Sequence, residues 1–220
     1  ITFLKKNKFF VSKNEVLNEL NKIKFSDDTL NITISLTELC NLSCLYCYQN
    51  DFNSNSVISN EVIDCIINYI NIVIEKSQKI QFLVINIIGG EPLIAYNELK
   101  YLLKSLRTIE NLKIKIIIDT NGTLLSDEIL NDLINFDTII SITLTDKSDH
   151  NEVRCFKNNK GSYDEILQNL KSLREYFLSD NINLNIRYNC HHNNIQILSS
   201  FYNNLKVELQ YPFFLELAYL

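Results

Sequence analysis

Apolar stretches of strand length alternate with segments of helical periodicity along most of this 220-residue chain. The predicted strands lie at residues 31–37, 82–88, 112–118, 138–144 and 182–188, with a sixth within 206–217. Helical patterns follow them at residues 60–75, 98–109, 126–135, 161–177 and 195–204. Strands that alternate with helices pair in parallel, and right-handed crossovers place the helices outside the sheet. The sequence therefore predicts an α/β fold, a partial (β/α)6 TIM-like barrel with its site at the carboxyl ends of the strands.

Residues 1–30 precede this alternation and predict a short N-terminal preface. They combine a β-like patch with the capping-box pattern Ser12-Lys-Asn-Glu15, which opens a helix. No linker rich in glycine, proline or serine divides the rest of the sequence. Residues 31–220 are therefore predicted to form one core barrel domain.

The composition limits the partners that we expect. The formal net charge of −5 argues against nucleic acid, because a grip on the phosphate backbone needs a basic face. No apolar run approaches the ~20 residues that span a bilayer, and no signal peptide follows Ile1, so we expect no membrane association. Six cysteines without the spacing of a disulfide framework are typical of a reducing compartment. We therefore expect a cytoplasmic protein.

A run of three cysteines, Cys40-Asn-Leu-Ser-Cys44-Leu-Tyr-Cys47, follows directly on the first predicted strand. Three thiolates leave one ligand position open on a tetrahedral zinc ion or on a [4Fe-4S] cube. A zinc site would need a second CxxC or an HxxxH pattern downstream, whereas the other cysteines stand alone in the sequence. The turn Gly89-Gly-Glu-Pro ends the second predicted strand, so two motifs occupy corresponding strand ends. This pattern favours an iron–sulfur cluster, and a zinc-stabilised binding domain without turnover is the alternative.

Five motifs together give the chain a resemblance to the radical S-adenosylmethionine enzymes, and among them to the maturases of sulfatases and ribosomally made peptides. The motifs read CNLSCLYCYQN, GGEPL, DTNGTLL, SITLTDKSDHNEVR and GSYDEI, in that order. The resemblance extends from about residue 31 to about residue 194. No cysteine-rich region of the kind that holds auxiliary clusters in those maturases follows, so the resemblance covers the radical core only.

The resemblance implies a radical enzyme. Cys40, Cys44 and Cys47 would hold a [4Fe-4S] cluster, with the amino and carboxylate groups of S-adenosylmethionine on the fourth iron. Reductive cleavage of S-adenosylmethionine would release a 5′-deoxyadenosyl radical, which abstracts hydrogen from a peptide or protein substrate during peptide maturation. A flavodoxin or ferredoxin would supply the electron. The same core acting on a small metabolite is the alternative.

The resemblance also implies which residues bind S-adenosylmethionine. Tyr46 would lie against the adenine, since stacking binds a purine with few hydrogen bonds. Gly89 and Gly90 would let the backbone approach the ligand, and Glu91 would offer its carboxylate to the amino group.

Two further contacts are expected from the fourth predicted strand and the loop after it. Arg154 would bind the carboxylate of S-adenosylmethionine, and a hydroxyl of Ser141 or Thr143 would reach the same end or the ribose. The chain lacks the Asp-Gly that the family carries after this strand, so the alignment there needs one insertion or deletion. Arg187 on the fifth strand is the next candidate for the carboxylate.

Several other reactive side chains are expected to be structural. We expect His150 to fix its loop through a hydrogen bond rather than to contact the substrate. Cys190 ends the fifth strand and is expected to pack, with hydrogen donation to a substrate radical as the alternative. The remaining candidates for structural or solvated roles are Cys65, Cys155, His191 and His192. No catalytic residue is assigned from the sequence.

Overall fold

The structure is a computed structural model, and it describes residues 28–49, 55–77 and 79–219. Its strands are β1 (Thr29–Ser35), β2 (Leu42–Cys44), β3 (Phe82–Ile88), β4 (Lys113–Thr120), β5 (Asp137–Thr143), β6 (Arg154–Phe156), β7 (Ile182–Cys190) and β8 (Phe214–Tyr219). Its helices are α1 (Asn60–Lys76), α2 (Tyr96–Leu106), α3 (Asp127–Leu133), α4 (Lys147–Val153), α5 (Tyr163–Ser172), α6 (Arg174–Phe177) and α7 (Leu198–Leu209), with a 3-10 turn at Pro92–Ala95. The predicted preface lies, up to residue 27, outside the described residues.

Six strands form one parallel sheet in the order β1-β3-β4-β5-β7-β8. The register places Ser35 beside Ile88 and Asp119 beside Ser141, so the strands end at one edge. Within the described residues, β1 and β8 each pair on one side only, and the sheet stays open rather than closing on itself. The predicted α/β fold with a partial barrel is confirmed, and all six predicted strands are present.

The two faces of the sheet differ in polarity because successive side chains of a strand point to opposite sides. The outer face packs on the helices and includes the fully buried Ile85, Ile116 and Leu184. Each such side chain stabilises the fold by roughly 1.5 to 3 kcal/mol. The inner face carries polar side chains such as Asp119 and Arg187. No helix in the described part of the chain is long and apolar enough to cross a bilayer.

A second, two-stranded sheet joins β2 to β6 in antiparallel orientation, with Cys44 opposite Arg154. The sequence predicted neither strand, nor helix α4 between β5 and β6. Strands of three residues are too short to show an alternation of polar and apolar side chains. This small sheet joins the cysteine loop to the segment that follows β5.

Candidate active site

A cavity of about 250 Å³ opens at the carboxyl ends of the central strands. The predicted metal ligands Cys40, Cys44 and Cys47 line it. Five of the six predicted cosubstrate residues line it as well, namely Tyr46, Gly89, Gly90, Ser141 and Arg154. The structure therefore brings together every predicted site residue except Glu91.

Backbone hydrogen bonds join the cysteine loop to the turn after β3. The N–H of Gly90 donates to the carbonyl of Thr37 at 2.8 Å, and the N–H of Glu91 donates to that of Leu39 at 2.7 Å. Within the loop, the N–H of Cys47 donates to the carbonyl of Cys44 at 3.1 Å. The protein's own backbone hydrogen bonds thus hold the chain just before Cys40 against the glycine turn.

The described cysteines form no disulfide. Burial raises the pKa of the Cys40 and Cys44 thiols, while the positive charge of Arg154 opposes that rise. A metal ligand must lose its proton, so coordination here would have to displace protons from both thiols. Within the described chain, no three Cys, His, Asp or Glu side chains are grouped for one metal ion. In a [4Fe-4S] cube, three of the four irons would each take one thiolate.

Glu91 lies behind the cavity wall with its side chain fully buried. Its Oε1 accepts hydrogen bonds from the Thr120 hydroxyl at 2.6 Å and the Leu93 N–H at 3.1 Å. Its Oε2 accepts one from the Asn121 N–H at 2.6 Å. Burial raises the pKa of Glu91, and these three hydrogen bonds oppose the rise. The carboxylate thus fixes the turn after β4, and its direct contact with an amino group stays a prediction.

The turn after β4 is tied in its own right to the cysteine loop. The Asn121 amide donates to the Asn41 side-chain oxygen at 2.8 Å and reaches the Cys40 sulfur at 4.0 Å. The Asn41 amide donates to the Thr123 hydroxyl at 2.8 Å. The sequence assigned no role to these side chains. The motif Asp119-Thr-Asn-Gly-Thr, which belongs to one of the five motifs that carry the resemblance, is the sequence signal for them.

Arg154 reaches from β6 to the cysteine loop. Its Nη1 donates to the Tyr46 hydroxyl at 2.6 Å, and its guanidinium carbon lies 5.9 Å from the Tyr46 ring centroid. Burial disfavours the charge, but Cys44 and Tyr46 hold the pKa of Arg154 above its usual value. Its Nε is buried and has no hydrogen-bond partner among the described residues. The side chain therefore brings a positive charge to the cavity lining, and its buried Nε is an unused donor.

The opposite wall consists of polar side chains on the inner face of the sheet. The Nε of Arg187 donates to Glu216 at 3.1 Å, and its Nη1 lies 3.9 Å from an Asp119 oxygen. The Asn185 amide donates to the Ser141 hydroxyl at 3.2 Å and to Glu216 at 2.9 Å. Arg187, the second candidate for a ligand carboxylate, is thus already shared by two carboxylates of the protein.

The remaining reactive side chains lie outside the cavity lining. The expected hydrogen bond of His150 is present, with its Nε2 3.0 Å from the Ser162 hydroxyl. Cys190 is buried in the core, and this position does not support hydrogen donation to a substrate in the cavity. His191, expected to be solvated, places its Nε2 2.7 Å from Asp149.

The family model described as the Radical SAM superfamily matches residues 34–193 of this chain. The match includes the cysteine loop, the glycine turn and the segment of Arg154, which together form the cavity. The chain therefore belongs to the Radical SAM superfamily. The family predicted from the motifs is confirmed.

Two curated relatives carry names that state different substrates. The cysteine-type anaerobic sulfatase-maturating enzyme of Clostridium novyi is 27% identical over 150 residues, which cover 65% of this chain and 40% of that protein. The GTP 3′,8-cyclase of Clostridium perfringens is 31% identical over 108 residues, which cover 49% of this chain and 32% of that protein. The chain spans half or less of the length of the first curated relatives that it matches.

A solved structure shares the fold. Native anSMEcpe with bound AdoMet and Kp18Cys peptide superposes with a TM-score of 0.70 at 20% identity, covering 87% of this chain and 51% of that chain. The solved structure shows the shared fold, and the predicted likeness to the sulfatase maturases agrees with the sequence similarity to the relative from Clostridium novyi.

Replacing Gly90 by alanine should disrupt the junction between the glycine turn and the cysteine loop. An added Cβ would lie 2.4 Å from the carbonyl oxygen of Leu39 and 2.6 Å from that of Glu38, so backbone would have to move. We expect Gly90→Ala to lower the free energy of unfolding by roughly 1 to 3 kcal/mol, measured by urea titration. Ile94→Ala, at an exposed position of the neighbouring turn, is the control. An unchanged urea midpoint for Gly90→Ala would contradict the observed packing.

Proposed function

We propose that this chain is the radical core of an enzyme that uses S-adenosylmethionine to abstract hydrogen from a peptide or protein. The observation that carries the proposal is the cavity at the strand ends, which collects Cys40, Cys44 and Cys47 with Gly90 and Arg154. A loop with three thiolates leaves one iron of a cube open to a cosubstrate. Membership of the Radical SAM superfamily supports the same conclusion.

Cys40, Cys44 and Cys47 are the proposed ligands of a [4Fe-4S] cluster. When bound, the reduced cluster and S-adenosylmethionine supply a 5′-deoxyadenosyl radical that takes hydrogen from the substrate. The protein contributes the position of the three thiols and the shelter of the cavity. Asn121, with its amide 4.0 Å from the Cys40 sulfur, donates toward one proposed ligand. Hydrogen bonds to cluster sulfurs tune reduction potential, so Asn121 has a proposed electrostatic role as well.

The cavity walls provide the proposed contacts for S-adenosylmethionine. Arg154 would bind its carboxylate, and Tyr46 would stack on its adenine. Gly89 and Gly90 leave room for the methionyl backbone, and Ser141 offers a hydroxyl. The buried position of Glu91 supports a role through the turns that it holds, in addition to the predicted contact with the amino group.

The charge of the cavity supports a peptide substrate over a nucleoside triphosphate. The basic side chains that line it among the described residues are Arg154 and Arg187. Arg154 is proposed for the cosubstrate, and Arg187 lies between Glu216 and Asp119. Because Arg187 is already paired with two carboxylates, it has little positive charge left to offer a triphosphate. Peptide amides, by contrast, bring donors for the carboxylate of Asp119. The sulfatase-maturating relative and the peptide in the similar solved structure support the same substrate class.

The proposed reductant is a flavodoxin or ferredoxin. The outer surface of the cysteine loop is open, since Leu45 is 74% exposed and Tyr48 is 76% exposed. Exposed apolar side chains beside a redox centre are suited to a transient protein contact. An electron carrier docking there would approach the three thiols from outside the barrel.

Removing one cluster ligand should abolish cleavage of S-adenosylmethionine. Cys44→Ala leaves two thiolates, which cannot hold a cube and keep its fourth iron open. The measurements are iron and sulfide content after anaerobic reconstitution, and formation of 5′-deoxyadenosine with dithionite. Cys65→Ala, at an exposed position on α1, should behave like the parent protein. Full iron content in Cys44→Ala would defeat the cluster assignment.

Truncating Arg154 should weaken S-adenosylmethionine binding without removing the cluster. A charge-assisted contact contributes about 1.5 to 3 kcal/mol, so Arg154→Ala should lose roughly tenfold to hundredfold in affinity. The affinity is followed through the paramagnetic spectrum of the reduced cluster during a titration. Arg174→Ala, which removes an exposed arginine on α6, is the matched control. Parent-like binding by Arg154→Ala would show that Arg154 does not bind the carboxylate, and Arg187 would be tested next.

Deuterium transfer can distinguish the two substrate classes. The reconstituted protein is incubated with S-adenosylmethionine and either a perdeuterated peptide digest or perdeuterated GTP. We expect singly deuterated 5′-deoxyadenosine, detected by mass spectrometry, from the peptide pool only. Cys44→Ala is the blank for both pools. Label arriving from GTP and not from peptides would overturn the peptide proposal and support a nucleotide substrate.

A further inference from the structure

The backbone of Arg154 turns its polar groups away from the cysteine strand. The Leu45 N–H donates to the Val153 carbonyl at 2.9 Å, so this pair is hydrogen-bonded across β2 and β6. In an antiparallel pair of strands, hydrogen-bonded and non-hydrogen-bonded residue pairs alternate. The next pair, Cys44 with Arg154, is therefore a non-hydrogen-bonded one. The N–H and carbonyl of Arg154 must find partners on the far side of β6.

Those partners are His150 and Ser162, which close a ring with Arg154. The Arg154 N–H donates to the His150 carbonyl. The Ser162 hydroxyl donates to the Arg154 carbonyl at 2.8 Å, and the His150 Nε2 lies 3.0 Å from the same hydroxyl oxygen. Both His150 and Ser162 are fully buried. Neither side chain lines the cavity.

The direction of each hydrogen bond in the ring follows from the number of protons. A carbonyl only accepts, so the single hydroxyl proton of Ser162 is committed to Arg154. The His150 Nε2 must then donate, which leaves Nδ1 as a bare acceptor. That Nδ1 is buried without a hydrogen-bond partner in the described chain. Burial, with the charge of Arg154 outweighing that of Asp149, lowers the pKa of His150 to about 3. The imidazole therefore stays neutral and keeps its Nε2 proton.

We propose that His150 and Ser162 are positioning residues, which hold the backbone of Arg154 against the cysteine strand and so aim its guanidinium into the cavity. The inference rests on the proposed function in one respect, that Arg154 binds S-adenosylmethionine. Its geometric part does not depend on any ligand. The buried Arg154 Nε, which has no partner among the described residues, is the group whose direction the ring would set.

The geometric part is tested by nuclear magnetic resonance on the protein without cluster. The chain has four arginines, Arg107, Arg154, Arg174 and Arg187, so the Nε–H signals can be assigned by substitution. The Arg154 signal should exchange slowly with solvent in the parent protein, and the ¹⁵N shifts of His150 should report a proton on Nε2. Ser162→Ala and His150→Asn should each lose the slow exchange. His150→Gln should keep it, because its amide nitrogen takes the place of Nε2 whereas that of Asn does not.

The functional part is tested by S-adenosylmethionine titration of the reconstituted variants. We expect Ser162→Ala and His150→Asn to bind about tenfold more weakly, with parent-like iron content, and His150→Gln to bind like the parent. Ser172→Ala removes an exposed hydroxyl that also donates to a backbone carbonyl, and it is the control. Melting temperatures separate a general loss of stability from a local one.

Three results would overturn the inference. The first is a protonated Nδ1 on His150. The second is slow exchange of the Arg154 Nε–H together with parent-like affinity in Ser162→Ala. The third is the same exchange rate and the same affinity in His150→Gln and His150→Asn. If the parent protein fails to bind S-adenosylmethionine at all, the proposed function fails. The exchange data on the protein without cluster then still decide whether the ring positions Arg154.

Discussion

One buried carboxylate holds the strand ends of this protein together. The N–H of Glu91 donates to the carbonyl of Leu39, just before the cysteine loop. Its side chain accepts hydrogen bonds from the Thr120 hydroxyl and the Asn121 N–H. A buried charge is costly unless it is hydrogen-bonded, and here three donors meet it. Without that carboxylate, the turn after β4 would lose the two hydrogen bonds that join it directly to Glu91 in the turn after β3, and the cysteine loop contacts both turns.

Much of this architecture could be predicted from the sequence because its signals are local. The strands are runs of isoleucine, leucine and valine, of which Phe82–Ile88 is an example, bounded by turn residues. Parallel strands then require their carboxyl ends to meet, so motifs after successive strands had to share one site. The convergence of the cysteines with Gly89, Gly90 and Arg154 follows from that requirement.

Other features could not be predicted, because they depend on contacts distant in sequence. The pairing of β2 with β6 involves six residues in all, and neither strand differs from a loop in its pattern. The motif around Glu91 predicts a carboxylate near the site but not the direction in which it points. The Glu91 side chain is buried against Thr120, which belongs to the neighbouring strand β4. The hydrogen bond of His150 was expected, whereas its partner Ser162 depends on how the chain folds back after β6.

The small sheet of β2 and β6 also has a consequence for biosynthesis. Tyr46 and Arg154, which meet across it, are 108 residues apart in the chain. During translation the three thiols leave the ribosome long before the strand that completes their surroundings. Contacts of such sequence separation form late, since the intervening loop must close first. At synthesis rates of about 5 to 20 residues per second, the three thiols therefore precede Arg154 by several seconds at least. The surroundings of the three thiols are therefore complete only after β6 has been made and has paired with β2.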